Sequence, residues 1–227
     1  QAMANYANDQ GMKKVAVIYD NSDDYSVGLA NEFKAQAEKN GQEVVAFEAA
    51  TAKDVDFRSQ LTNIVTAGPE ALFVAFYYEP AAMILNQSVE VGLDCKFLGA
   101  DGIGGVEDLV SDTALLSKTY YCAHFANDAD DENVKTFIES YKAKYGEEPK
   151  MAFSATGYDA VKILVNAIAE AGSTDSAAVV EKIKATDLDC VTGHITFDDH
   201  NDPVKNAYIM NYVDGQPKYV DTVEPEA

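Results

Sequence analysis

Tyrosines, carboxylates and glycines gather in three short stretches: Asp20-Asn21-Ser22-Asp23-Asp24-Tyr25-Ser26-Val27-Gly28, Tyr77-Tyr78-Glu79-Pro80 and Asp101-Gly102-Ile103-Gly104-Gly105. A phenol offers an apolar ring face and a hydroxyl that donates or accepts. A carboxylate among glycines, where backbone can come close, suits an ammonium group, and such a charge-assisted bond contributes about 1.5–3 kcal/mol. Tyr25, Tyr77 and Asp101 could therefore form half a site for an amino acid, with Ser26, Tyr78 and Gly102 as additional rim candidates. Each residue also has a blander reading. Tyrosines at strand ends commonly pack the rim, and Asp-Gly commonly makes a turn. Convergence is what singles these three out.

Convergence depends on the elements around them. Residues 14–19 (K-V-A-V-I-Y) and 72–77 (L-F-V-A-F-Y) are unbroken apolar runs, the signature of strands buried on both faces. Shorter runs at 44–47, 96–100 and 119–125 read as further strands. Between them apolar residues recur at helical spacing: Leu29, Phe33 and Ala37 up to Asn40-Gly41, a helix from about Val55, and another over 80–91 that stops at Gly92. Regular strand–helix alternation predicts an α/β fold with a doubly wound parallel sheet and right-handed crossovers. Ligands of such sheets sit beyond the carboxyl ends of the strands, where strand order reverses. The three stretches follow the first, third and fourth strands.

After residue 125 the alternation stops. Helices are predicted over 133–145, 154–171 and 176–185, with no strand between them, and strands return at 194–197, 208–213 and 218–223. Apolar helix stripes need a partner surface, and the first lobe's own helices already cover its sheet. The division expected is a lobe over 1–125, helices of a second and incomplete lobe over 126–198, and strands returning to the first lobe over 199–227. Gln1 to Ala7 reads as the middle of a helix ending near Gly11, as if the chain were a cut piece.

With 17 basic and 38 acidic side chains the net charge is −21, a balance that disfavours nucleic acid and anionic membranes. It serves solubility, or favours cationic and zwitterionic ligands. Arg58 is the single arginine, so no pair of guanidinium forks clamps a phosphate. The apolar share of 47% allows a substantial core. Cys95, Cys122 and Cys190 fit no zinc or C-x-x-C spacing; they read as buried thiols, with a Cys95–Cys122 bridge open if their strands are neighbours. Asp198-Asp199-His200-Asn201-Asp202 departs from a calcium loop in lacking its glycine and reads as a hairpin turn. No G-x-S-x-G or phosphate-loop motif occurs, and His124, His194 and His200 lie near no nucleophile in sequence. The reading is a binding protein without cofactor or metal. An α/β enzyme and a receiver-like phosphorylation module using Asp20, Asp23 and Asp24 stand as rivals.

The stretches K-K-V-A-V-I-Y-D, D-Y-S-V-G-L-A, D-F-R-S-Q-L, F-Y-Y-E-P-A-A-M, F-L-G-A-D-G, S-A-T-G-Y-D-A-V and T-G-H-I-T-F-D, in this order, resemble the C-terminal part of the branched-chain amino-acid-binding proteins. These are type I periplasmic-type solute receptors of ABC importers. The resemblance implies that Asp101 receives the ligand's α-ammonium and that Tyr25 and Tyr77 are ligand tyrosines. Ser26 stands where the family usually has glycine, and Tyr158 packs on a crossover helix. It further implies that the carboxylate-binding groups belong to the first half-lobe, absent here, and that residues 128–190 belong to that lobe and could self-associate or swap. An aliphatic amino acid, a membrane permease and an extracytoplasmic location, in the periplasm or tethered as a lipoprotein at the cell surface, follow from the same likeness. A ligand-sensing ectodomain of a signalling receptor is the alternative.

Overall fold

A computed structural model describes residues 1–224. Helix α1 (Ala2–Asp9) leads through Gly11 into β1 (Lys14–Asp20), followed by α2 (Asp24–Lys39), β2 (Glu43–Ala50), α3 (Arg58–Ala67), β3 (Ala71–Ala75), α4 (Tyr78–Glu90) and β4 (Lys96–Gly99). Two 3₁₀ turns, Asp101–Ile103 and Val106–Asp108, and the short α5 (Thr113–Leu116) precede β5 (Thr119–Ala123). Then come α6 (Glu132–Tyr145), α7 (Phe153–Ala171), α8 (Ser176–Lys184), β6 (Leu188–Cys190), β7 (Gly193–Phe197), β8 (Pro203–Val204), β9 (Ala207–Val213) and β10 (Gln216–Val223).

The described residues form two compact units, 1–123 with 209–220 and 124–208 with 221–224. In the first, the strand order is β10-β9-β5-β4-β3-β1-β2, and the pairs from β2 through β5 are parallel. Val15 to Ile18 and Leu72, Val74 and Ala75 are fully buried, as unbroken apolar runs require when both sheet faces are covered. The chain passes outward from β1 to β2, then back across β1 to β3. Right-handed crossovers therefore send α2 and α3 to opposite faces. Phe33 of α2 lies flat on Phe73 of β3, centroids 4.3 Å apart. On the far side of the order, Asn211 of β9 donates to the carbonyls of Ser117 (3.1 Å) and Thr119 (2.8 Å), and Tyr212 stacks on Tyr121 of β5.

Several boundaries differ from the sequence expectation. The third helix begins at Arg58 because the Gln87 side chain accepts from Phe57 N–H (2.7 Å) and donates to the Val55 carbonyl (2.9 Å), leaving Val55 outside it. β3 stops at Ala75, since Tyr77 already caps α4, and β5 stops at Ala123. Leu188–Cys190 forms an unanticipated strand. The turn at 198–202 closes β7 onto β8 inside the second unit, so the chain rejoins the first at Ile209 and not at 199. Although β4 and β5 are neighbours, no disulfide joins Cys95 to Cys122, and burial pushes the Cys95 thiol pKa up to about 12.

The second unit packs Phe125, Val134, Phe137, Ala155 and Val191 into one cluster and Ile163, Cys190 and Ile195 into another. Asp131 caps α6, accepting from Asn133 and Val134 N–H. Buried Asp159 on α7 accepts from Val191 N–H (2.9 Å) and Thr192 N–H (2.8 Å), anchoring the β6–β7 turn. Among the described residues its sheet is β6-β7-β8 alone. Tyr158, Val161, Leu164 and Val165 of α7 are 44–60% exposed, an apolar stripe that this small sheet leaves open. Tyr158 touches the Phe137 ring at 5.3 Å, in keeping with a packing role.

His194 of β7 faces Asp189 at 2.8 Å and Asp187 at 3.1 Å. The hydrogen bond to Asp189 and the charge of Asp187 raise its pKa above the ordinary value of 6.5. The pairing therefore supports the hairpin fully below about pH 6.5, and the contribution fades as pH rises through the raised folded value. A proton-NMR titration of His194 is expected to show that elevation, and Asp189→Asn to lower it.

Candidate functional site

The stretch after β1 is built before it is functional. Asp20, at the end of β1, is buried and accepts from Ser22 N–H (2.8 Å), Ser22 Oγ (2.6 Å) and Ala52 N–H (3.1 Å). Its carboxylate ties the turn after β1 to the turn after β2. Asp23 caps α2 by accepting from Ser26 N–H at 3.1 Å. The Ser26 hydroxyl accepts from Asp20 N–H (2.8 Å) and donates to the carbonyl of Ala75, the last residue of β3. Ser26 is 1% exposed. It is thus not a rim residue, as the sequence had suggested, but a bolt between the ends of β1 and β3. Tyr25 rides on this anchored first turn.

Tyr77 occupies the cap position of α4 in an extended backbone conformation that turns it out of the sheet, and the residue is 46% exposed. Tyr78 begins the helix and is half-buried. Asp101 opens the 3₁₀ turn after β4, which closes through Ile103 N–H on Ala100 O and Gly104 N–H on Asp101 O. Gly105 follows at φ 104°, a left-handed position that glycine takes without strain.

These parts meet. The Tyr25 hydroxyl donates to Asp101 Oδ1 at 2.6 Å and accepts from Gly102 N–H at 3.3 Å. The Tyr25 and Tyr77 rings stack with centroids 5.0 Å apart and planes inclined by 22°. Burial, and then the adjacent charge of Asp101, hold the Tyr25 phenol far above its ordinary pKa, so it remains a donor at every physiological pH. Tyr25, Tyr77, Asp101 and Gly102 therefore form one constellation, whereas Ser26 lies beneath it. Aspartate and phenol together present acceptors to an ammonium, and the paired rings present an apolar wall and a π face to a cation. Arg58 pairs instead with Glu90 (2.8 Å) and Asp56 (3.0 Å).

A cavity of about 340 Å³ lies within the second unit, with Ile163, Leu164, Ile183, Ile195 and Phe197 among its lining. Polar groups, among them Thr156, Asp159 and Thr192, also line it, and the Asp159 carboxylate is already engaged by the Val191 and Thr192 N–H groups. The turn at 198–202 uses Asp198 Oδ1 on its own backbone, accepting from His200 and Asp202 N–H at 2.8 Å each.

A doubly wound sheet with phenols and a carboxylate at its switch point defines a lobe of the type I solute-binding class. The comparisons agree: a family profile described as periplasmic binding protein matches residues 1–217, and the chain belongs to that family. The leucine-, isoleucine-, valine-, threonine-, and alanine-binding protein of Pseudomonas aeruginosa is 30% identical over 190 residues, 84% of this chain and 50% of the relative. Leu/Ile/Val-binding protein homolog 3 of Brucella melitensis is 29% identical over 221 residues, 95% of this chain and 59% of the relative. Among solved structures, the leucine-binding protein LivK of Thermotoga maritima aligns with a TM-score of 0.91 at 30% identity, covering 99% of this chain and 64% of the other. LivJ of Streptococcus pneumoniae, solved with isoleucine, aligns with a TM-score of 0.84 at 32% identity over 98% of this chain and 63% of the other. The chain spans about half the length of the curated relatives it matches.

Removing the Ser26 hydroxyl would strand a buried carbonyl at Ala75 and a buried N–H at Asp20. Ser26→Ala is expected to lower stability by about 1–3 kcal/mol, read from urea unfolding midpoints. Unaltered midpoints would contradict the bolt.

Proposed function

We propose that this chain supplies one ligand-binding face of the substrate-binding component of an ABC importer for an aliphatic amino acid, with branched-chain amino acids the leading candidates. The observation that carries the reading is the Tyr25–Asp101–Gly102 hydrogen-bonded set beside the Tyr25–Tyr77 stack, at the switch point of the sheet. Asp101 takes the ligand's ammonium. Tyr25 holds the aspartate in place, and the ring faces of Tyr25 and Tyr77 shield the contact from water. Arg58 is tied to Glu90 and Asp56, so the ligand carboxylate is met by groups outside this constellation. Closure of an opposing lobe over the rim, by hinge motion, would bring them. The pocket binds without transforming its ligand, a reading supported by relatives named as binding proteins.

Transport is favoured over a signalling ectodomain because structural neighbours carry ABC-transporter substrate-binding names, LivJ among them. An extracytoplasmic location and a permease partner belong to the same reading, on the strength of the family. No helix among the described residues is long and apolar enough to cross a membrane. Residues 128–190 carry the open stripe on α7, and in solution this stripe meets its counterpart on a second copy of the chain.

Calorimetric titration with leucine, isoleucine and valine is expected to show binding that Asp101→Ala weakens at least about tenfold. An affinity indifferent to Asp101 removes the assignment. Sedimentation at micromolar concentration is expected to show dimers or larger species, which Val161→Asp with Val165→Asp disperses. A monomer at all concentrations, with residues 128–190 protected from amide exchange, would refute self-association.

A further inference from the structure

Gly102 is buried, in a turn whose φ is not left-handed, so its backbone does not require glycine. Its surroundings do. A Cβ at this position would lie 3.1 Å from Tyr25 Oη, 3.1 Å from Tyr77 Cδ1 and 3.4 Å from Tyr77 Cε1. The atoms closest to that missing carbon are therefore those of the candidate site, not of the lobe's core. Elsewhere the pattern is different: a Cβ on Gly99 would strike Ile103, and one on Gly28 would meet nothing within 4 Å.

Tyr25 has no easy retreat. Tyr25 Oη is pinned by Asp101 at 2.6 Å and by Gly102's own N–H at 3.3 Å. Tyr77 is stacked on Tyr25 at 5.0 Å, so a push on its edge is felt by both rings. Real Cβ atoms seldom approach to 3.1 Å, and a methyl here would displace the phenol, the stack or the turn that carries Asp101. Overpacking of this kind is costly when the neighbours are already fixed.

We infer that Gly102 is a positioning residue: by presenting only hydrogen to the two rings while donating its N–H to Tyr25, it sets the spacing between the phenols and the Asp101 carboxylate. The inference rests on the amino-acid-binding reading for its consequence in affinity, but its geometric core does not.

The test uses two readouts on the 227-residue chain. One is leucine affinity by calorimetry; the other is the ¹³Cζ resonance of Tyr25, sensitive to its hydrogen bond and measurable without ligand. Gly102→Ala is expected to move the Tyr25 resonance toward that seen in Asp101→Ala and to weaken leucine by about tenfold. In a Tyr25→Phe background, where the nearest clashing oxygen is gone, the same alanine should cost much less affinity, a coupling that general destabilisation does not produce. Should Gly102→Ala fold poorly, the Tyr25→Phe double variant is expected to fold and carries the same comparison. An unmoved Tyr25 resonance, or strictly additive losses in the cycle, overturns the positioning role while leaving the binding reading intact. If the unaltered chain binds no aliphatic amino acid, it is the ligand assignment that falls, and the resonance arm alone then decides for or against Gly102.

Discussion

The reversal of strand order at β1 is the constraint on which the rest of the structure depends. Because β2 lies on one side of β1 and β3 on the other, the helices leaving β1 and β3 must diverge onto opposite faces of the sheet. Divergence leaves a crevice that backbone cannot fill. The side chains at the heads of α2 and α4 are the only groups of those elements able to line it, and Tyr25 and Tyr77 stand there. The next strand over, β4, delivers the acid.

A crevice alone does not give fixed geometry. Here polar bonds beneath the rim hold the strand ends in register: Asp20 joins the first two βα turns, and Ser26 joins β1 to β3. Above them the Tyr25–Asp101 bond links the turn after β1 to the turn after β4. Two tiers of hydrogen bonds, one buried and one half-buried, thus bracket the first turn of α2. Preorganisation of this sort lowers the conformational cost that a ligand would otherwise meet on arrival.

How much could be read beforehand follows from the range of each interaction. The runs at 14–19 and 72–77 betrayed doubly covered strands because burial on both faces leaves no polar alternation to confuse. That Tyr25, Tyr77 and Asp101 share one rim could be expected because each lies in the stretch that leaves a strand of such a sheet. Ser26 was misplaced on the rim because its role depends on a carbonyl 49 positions away, and no local pattern announces that partner. The signal available was Asp23 three residues earlier, a helix cap that fixes which way Ser26 must face. Leu188–Cys190 escaped notice because a three-residue strand is too short for alternation, and the 3₁₀ turn at Asp101 because glycine-rich stretches have no periodicity to measure.

The placement of β9 beside β5 bears on how the protein is made. The first unit's sheet recruits residues 209–220 from near the carboxyl end, after the chain has spent residues 124–208 elsewhere. During synthesis, the outer edge of β5 therefore waits with its backbone groups unpaired until residues 207–213 have emerged. An open edge is a template for stray strands, so until β9 arrives the half-made sheet is exposed to mispairing at β5, and a chain lacking residues 207–213 keeps that edge open.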